Sequence, residues 1–306
     1  MRAVIVRSFG GPEVLEVARI PVPRPGPGQV LVRVAAATVN PVDVQTRSGA
    51  LTAAGLLPRR DVVGLGWDVA GTVDVLGPGV SGLRRGDTVI GLCDRLPLSA
   101  KTQAEYAVLD ADAIAAVPAG TDPVAAATLP LGGLTAAQAL DTAGTRPGDT
   151  LLVTGAAGAV GGYTVQLAAS AGVRVVAVAG TGDEELVRDL GAEHFVPRTA
   201  ELPAAVRRLV PGGVHAAVDA ASVGIPALDA VRGGGSLVGV LGNAPPPLRG
   251  IRVANVWIRA DGPRLAALAA AGLRLRVADV MPLDEVAAAH RRLAAGGLRG
   301  RLVLVP

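Results

Sequence analysis

The sequence predicts an α/β chain in two parts: a strand-and-turn segment, barrel or sandwich, and a doubly wound parallel-sheet domain. Three observations carry this. Residues 1–118 break into short, valine-rich runs separated by Gly/Pro clusters, the pattern of many short strands. After Pro118, apolar strands alternate with helical stretches, which specifies a parallel sheet covered on both faces. Within that second part, the apolar run Thr150–Thr154 ends in Gly155-Ala156-Ala157-Gly158-Ala159-Val160-Gly161 and opens directly into a helical pattern.

In order, an alternating strand opens the chain and breaks at Phe9-Gly10-Gly11-Pro12. Val14–Ile20 follows, and the Pro/Gly run 21–28 is a rigid connector. Gln29–Thr38, Val69–Leu76 and Asp87–Leu92 read as further strands. Beyond Pro118 the strands are Thr150–Thr154, Val173–Ala179, 194–196, Ala216–Asp219, Ser236–Leu241 and Arg252–Ile258. Helices are expected at Val160–Ala171 and Asp183–Leu190. From Ala260 the pattern gives a helix (Pro263–Ala271), a strand (Leu273–Val280), a helix (Leu283–Ala295) and the strand Arg301–Val305.

Composition narrows the function classes. A length of 306 residues suits two domains. Half the residues are hydrophobic but only 2% aromatic, so Ala, Val and Leu must build the core. The net charge of +3 is spread over single and paired arginines, with no basic run interleaved with aromatics. Nucleic acid is therefore not an expected partner. Cys93 is the lone cysteine, which excludes an intrachain disulfide and a multi-cysteine zinc cluster and fits a reducing cytoplasm. The N-terminal stretch lacks the apolar core of a secretion signal. Thr150–Val173 carries no charge, yet its glycines and polar residues argue against a membrane span.

The glycine turn sits where a dinucleotide-binding loop needs it. Small residues permit the tight turn, Gly158 admits a phosphate, and Gly161 lets helix and strand pack closely. The helix N-terminus adds unpaired N–H groups and partial positive charge. An NAD-binding loop places an acid at the tip of the next strand. Here the tip reads Gly180-Thr181-Gly182, which leaves room for a 2′-phosphate and favours NADP(H) over NAD(H). Asp183 is the rival: a helix N-cap in one reading, a ribose ligand in the other.

Five segments together resemble one family: Val39-Asn40-Pro41-Val42-Asp43, Gly66-Trp67-Asp68-Val69-Ala70-Gly71, Leu129–Ala136, the glycine turn, and the closing 299–304. The chain resembles the medium-chain dehydrogenase/reductase superfamily, in its zinc-free quinone oxidoreductase (zeta-crystallin-like) branch, over nearly its whole length. The resemblance implies a GroES-like β-barrel catalytic domain at 1–118, a Rossmann NADP(H)-binding domain at 119–259, and a return to the catalytic domain at 260–306. It places Asn40, Thr135, Ala156, Ala157, Gly158, Ala159, Val160, Gly161, Gly180, Thr181, Leu241 and Gly242 at the cofactor. It places Asp43, Trp67 and Trp257 around the substrate. Asp43 either pairs with a cation such as Arg47 or touches substrate. Tyr106 is barrel packing rather than a proton donor. Zinc-dependent relatives carry a ligand cysteine where Asn40 stands and a ligand histidine where Trp67 stands; the third ligand position falls near Leu131. No zinc is therefore expected.

The implied activity is NADPH-dependent hydride transfer to a quinone or another α,β-unsaturated carbonyl compound. Asn40, Thr135 and the nicotinamide ribose hydroxyl are the available hydrogen-bond donors for carbonyl polarisation. A pathway-specific enoyl or ketone reductase is the alternative within the fold. An NADPH-holding sensor or RNA-binding regulator without turnover is the alternative outside it. A homodimer is expected through the edge strand 252–258.

Overall fold

A computed structural model describes residues 1–96, 98–117 and 121–306. The chain divides into two compact units, Met1–Leu131 with Arg259–Pro306, and Gly132–Ile258. The break expected between residues 118 and 119 falls outside the described residues.

The second unit is built on a six-stranded, wholly parallel sheet. Its strands run, in spatial order, His194–Pro197, Arg174–Ala179, Thr150–Thr154, Val214–Asp219, Val231–Gly239 and Arg252–Asn255. Alternate side chains of each strand enter opposite cores, as the two-residue period of a strand requires. Leu151, Val153, Val175 and Val218 pack on one face, Leu152, Val176, Ala217 and Leu237 on the other. That double burial explains why these strands read as continuous apolar runs. The order reverses at Thr150–Thr154: the chain moves outward through two strands, then returns to Val214–Asp219 on the other side. A crevice at the carboxyl ends of these strands is where such sheets hold ligands.

Two expectations about this sheet need correction. The edge strand is Arg252–Asn255 rather than 252–258. Val256 N still donates to Gly239 O at 2.9 Å, and then the ladder stops, with Trp257 66% exposed. The preceding strand covers Val231–Gly239, not Ser236–Leu241.

In the first unit, Gln29–Val39 is the central strand. It pairs antiparallel with Asp68–Leu76, Tyr106–Asp110 and Arg301–Val305. Thr88–Leu92, Ile114–Ala116 and Val277–Pro282 complete a seven-stranded sheet. A smaller sheet joins Arg2–Val6 to Glu16–Arg19 and Val63–Gly64. The late strand Arg301–Val305 matches Leu302 to Val39 and Val303 to Thr38, so the end of the chain braces the segment leading into Asn40. The strand expected at Leu273–Val280 begins only at Val277 and runs to Pro282. Among the described residues, no helix is long and apolar enough to cross a membrane.

Candidate functional site

Helix Pro41–Ser48 starts immediately after the central strand, with Asn40 as N-cap and Pro41 at the first helical position. Proline suits that position because its missing N–H would be unpaired anyway. Asp43, three residues on, reaches back so that its Oδ2 accepts from Asn40 N at 2.8 Å. This is half of a capping box.

The cap is the centre of a buried polar cluster. Asn40 Nδ2 donates to Thr38 Oγ1 at 3.0 Å and to Asp68 Oδ2 at 2.7 Å. Asp68 also accepts from Thr38 Oγ1 and, through Oδ1, from Leu131 N at 2.5 Å, in the first turn of helix Pro130–Ala143. Burial pushes the Asp68 carboxyl upward in pKa, while the Arg301 charge, Thr38 and the Leu131 and Asn40 bonds oppose it. Asp43 spends its other oxygen on Gly66 N at 2.9 Å, and Gln103 Nε2 lies 3.3 Å from Oδ2. Burial raises Asp43 to about 6, against the pull of the Asn40 bond and the Lys101 charge. Gly66 is required where it stands: its φ is +104°, and a Cβ there would run into Gln103 and Thr102.

Two sequence expectations change here. Arg47 does not pair with Asp43; its Nη1 donates to Gly10 O at 2.6 Å. Asn40 is not an available donor. Both its N–H groups face Thr38 and Asp68, and what remains is Oδ1, buried with no partner among the described residues. The site therefore offers an acceptor at Asn40.

Trp67 is 5% exposed, and its ring faces Lys101, whose Nζ lies 3.9 Å from the ring centroid. Tyr106 lies in the barrel strand Tyr106–Asp110, paired opposite Arg33. Among the described residues, no group of three His, Cys, Asp or Glu side chains could hold a metal ion.

In the other unit the glycine turn stands at the sheet's reversal point. Gly158 N donates to Gly155 O at 2.9 Å, closing the turn, and Gly158 caps helix Ala159–Ser170. A Cβ at Gly161 would strike the Gly155 carbonyl and lie 2.9 Å from Ala156 Cα, so the helix meets the strand only because that residue is glycine. Ala156 N is taken by Val178 O at 3.0 Å. The N–H groups of the first helical turn, at Ala159, Val160 and Gly161, are those a helix leaves without intrahelical acceptors. Thr135 is buried on helix Pro130–Ala143.

A feature missed in the sequence braces this turn. Thr154 Oγ1 donates to Asp219 Oδ1 at 2.5 Å across the two neighbouring strand ends. Asp219 also accepts from Val223 N at 3.0 Å and Gly224 N at 2.8 Å. The loop so held includes Ser222 at φ 55°, a strained conformation for a side chain-bearing residue, and its Ala220 O lies 3.2 Å from where a Cβ of Gly155 would be.

At the next strand tip, Asp183 occupies the N-cap position of helix Glu184–Asp189 but makes no side-chain cap bond. Its carboxylate lies toward the strand tip, with Oδ2 2.9 Å from where a Cβ of Gly180 would lie. Thr181 begins a short 3₁₀ turn. Leu241 is 38% exposed, Gly242 is left-handed at φ 78°, and the Trp257 ring lies 3.7 Å from a Cβ built on Gly242.

The family Alcohol dehydrogenase GroES-like domain matches residues 26–119, and Zinc-binding dehydrogenase matches residues 159–259. A relative from Arabidopsis thaliana, named NADPH-dependent alkenal/one oxidoreductase, chloroplastic, is 34% identical over 254 residues. That alignment covers 81% of this chain and 64% of the relative, so the chain spans under two thirds of the relative's length. A solved NAD-dependent alcohol dehydrogenase matches over 100% of both chains with a TM-score of 0.88 and 34% identity. The quinone oxidoreductase from Coxiella burnetii matches with a TM-score of 0.86 and 29% identity, covering 100% of this chain and 99% of that one. A barrel unit, a glycine turn at the reversal point of a parallel sheet, and full-length similarity to these proteins place the chain in the medium-chain dehydrogenase/reductase superfamily, in its quinone oxidoreductase-like branch.

Proposed function

We propose that this chain is a zinc-independent, NADPH-dependent reductase of quinones or other α,β-unsaturated carbonyl compounds. The observation that carries the reading is the glycine turn at the sheet's reversal point, its close approach possible only with Gly161. The residues fit a dinucleotide. Ala156 to Gly161 present a small-residue cradle and a helix N-terminus to a pyrophosphate. The buried, unpartnered Asn40 Oδ1 is an acceptor for a nicotinamide ribose hydroxyl or carboxamide.

When bound, the cofactor supplies the hydride. The protein holds and orients. Gly180, Thr181, Leu241 and Gly242 would hold the cofactor on the parallel-sheet unit, and Asn40 and Thr135 are the residues assigned to the nicotinamide. Trp67 and Trp257 shape the substrate pocket. Asp43 serves that pocket by fixing the Asn40 and Gly66 backbones, since its oxygens are engaged there. The name of the Arabidopsis relative supports NADPH. Asp183 beside Gly180 is the observation favouring NADH, as does the NAD-dependent structural neighbour. Asn40, Trp67 and Leu131 are not ligand types for zinc, and this supports activity without the metal.

The same reading keeps three segments, 1–118, 119–259 and 260–306, a cytoplasmic location, and a homodimer paired along the edge strand Arg252–Asn255. Light scattering during size exclusion tests the dimer.

The deciding experiment is NADPH consumption over a panel of quinones, enones, enoyl thioesters and ketones, before and after dialysis against a strong chelator. The expected result is turnover of 1,4-naphthoquinone and enones, unchanged by chelation. Activity lost on chelation and restored by zinc overturns the zinc-independent reading. Turnover of a single enoyl or ketone class points to a pathway-specific enzyme, and binding without turnover to a sensor.

A further inference from the structure

Lys101 is the sole lysine in the chain; every other basic residue among the 29 Lys+Arg is arginine. It is also buried, at 4% exposure, whereas a lysine is almost never fully buried without a partner. Its ammonium lies against the face of Trp67, 3.9 Å from the ring centroid. Such a contact offsets part of the cost of removing a cation from water, but a ring face does not replace three hydrogen-bond acceptors.

Lys101 Nζ is nonetheless not among the fully buried side-chain atoms that lack a hydrogen-bond partner, a group that includes Asn40 Oδ1 and both His290 nitrogens. The charged and titratable groups that act on it are Cys93, Asp43, Asp94 and Asp68. The oxygens of Asp43 and Asp68 accept from Asn40, Gly66 and Gln103, and from Thr38, Asn40 and Leu131. An ammonium drawn largely out of water gains when an oxygen from outside the chain docks on it.

The substrate class calls for such a donor. As hydride reaches the carbon of a quinone or enone, negative charge collects on its oxygen. Asn40 cannot meet it, because both its N–H groups are spent on Thr38 and Asp68. We infer that the Lys101 ammonium is an oxyanion-binding group, donating to the substrate oxygen on which charge accumulates. This rests on the proposed reductase activity. The contribution is electrostatic stabilisation by a donor fixed in advance in a water-poor site; no proton has to leave Lys101. Lysine differs from arginine here in carrying a compact charge with three rotatable donors instead of a planar fork.

The chain's single lysine gives a direct test. Protein labelled with 15N at lysine Nζ has one side-chain ammonium signal. 4-Nitrophenolate, an anionic oxygen on an unsaturated ring, is the probe. Binding is expected to shift that signal and to favour the phenolate colour of the bound probe. Lys101→Met is expected to weaken phenolate binding at least tenfold and to lower kcat with 1,4-naphthoquinone by about 100-fold, with a smaller change in KM. Burial holds the ammonium below the ordinary lysine range, so kcat/KM of the parent should fall at alkaline pH, and this limb should vanish in Lys101→Met.

Should the methionine variant not fold, the labelled parent alone decides. An unshifted lysine signal on phenolate binding, or no phenolate binding, overturns the proposal, as does a folded Lys101→Met with parental affinity. The two readings fail separately. Quinone turnover with an unshifted signal removes only the oxyanion role. A shifted signal with no turnover of any acceptor removes the reductase reading and leaves an anion site.

Discussion

The amide of Asn40 donates to Asp68 Oδ2 at 2.7 Å, and this one bond decides which end of the amide is left over. Asn40→Ala strips two donors from the buried Thr38–Asp68 pair and leaves the carboxylate short of a partner. The variant should lose about 1–3 kcal/mol of stability, the cost of an unsatisfied buried group. Because Oδ1 is lost as well, NADPH should bind about tenfold more weakly. Thermal melts and a fluorescence titration measure the two effects. Parental cofactor affinity in a destabilised variant would reduce Asn40 to a structural role.

A side chain at position 161 is the most direct test of the glycine turn. Gly161→Val forces the helix away from the Gly155 carbonyl. NADPH binding should weaken by at least about tenfold, or 1.4 kcal/mol. A Gly233→Ala control, in the strand Val231–Gly239, has no left-handed φ and nothing closer than 3.9 Å to its added carbon. Unchanged NADPH affinity in a folded Gly161→Val protein contradicts the assignment of this turn to the pyrophosphate.

Asp183 should control the choice of dinucleotide. Its carboxylate is folded toward Gly180 at the strand tip, where a 2′-phosphate would meet like charge. Asp183→Ser should shift the ratio of NADPH to NADH affinity toward NADPH by about tenfold. Calorimetric titration of both cofactors reads the ratio directly. An unmoved ratio places the ribose elsewhere.

The described structure also predicts an acid response. His290 is fully buried, with neither ring nitrogen hydrogen-bonded among the described residues, and burial, followed by the Arg47 charge, lowers its pKa to about 4. A folded-state value below the unfolded one means that the unfolded chain binds more protons. This contribution is complete above the ordinary histidine value near 6.5 and is lost as pH falls toward 4. Asp43, raised to about 6, acts in the opposite sense: its stabilising share is present at low pH and lost as pH rises through 6. Replacing His290 isolates the first effect. Between pH 7 and pH 5, His290→Leu should lose about 2 kcal/mol less stability than the parent. Urea unfolding at the two pH values provides the comparison, and parallel losses contradict it.

The parallel sheet was legible because burial on both faces writes itself into the chain as apolar runs such as Leu151-Leu152-Val153. The outer strand was overread because Val256, Trp257 and Ile258 are as β-prone as a paired strand, while local sequence carries no sign of where the ladder ends. Helix Pro41–Ser48 was hidden by its own cap: Asp43 reads as a functional carboxylate, yet it is the residue that starts the helix. The place of Asn40 was evident, but not its orientation, which depends on Thr38 and on Asp68 from another strand. Arg301 and Lys101 reach the cluster from distant segments. Sequence offered one signal for Lys101, its solitude among arginines, and one for Arg301, a charge inside the apolar strand Arg301–Val305.

That last strand has a consequence for the order of synthesis. The strand bonded to Thr38 and Val39, and the arginine that offsets the Asp68 charge, are translated some 260 residues after the segment they complete. Through most of its time on the ribosome, the nascent chain holds Asn40 and Asp68 without their brace. The six strands of the parallel sheet all lie between Thr150 and Asn255 and leave the ribosome together, well before it. The two units therefore finish folding in reverse of the order in which they begin: the part that starts first must wait longest.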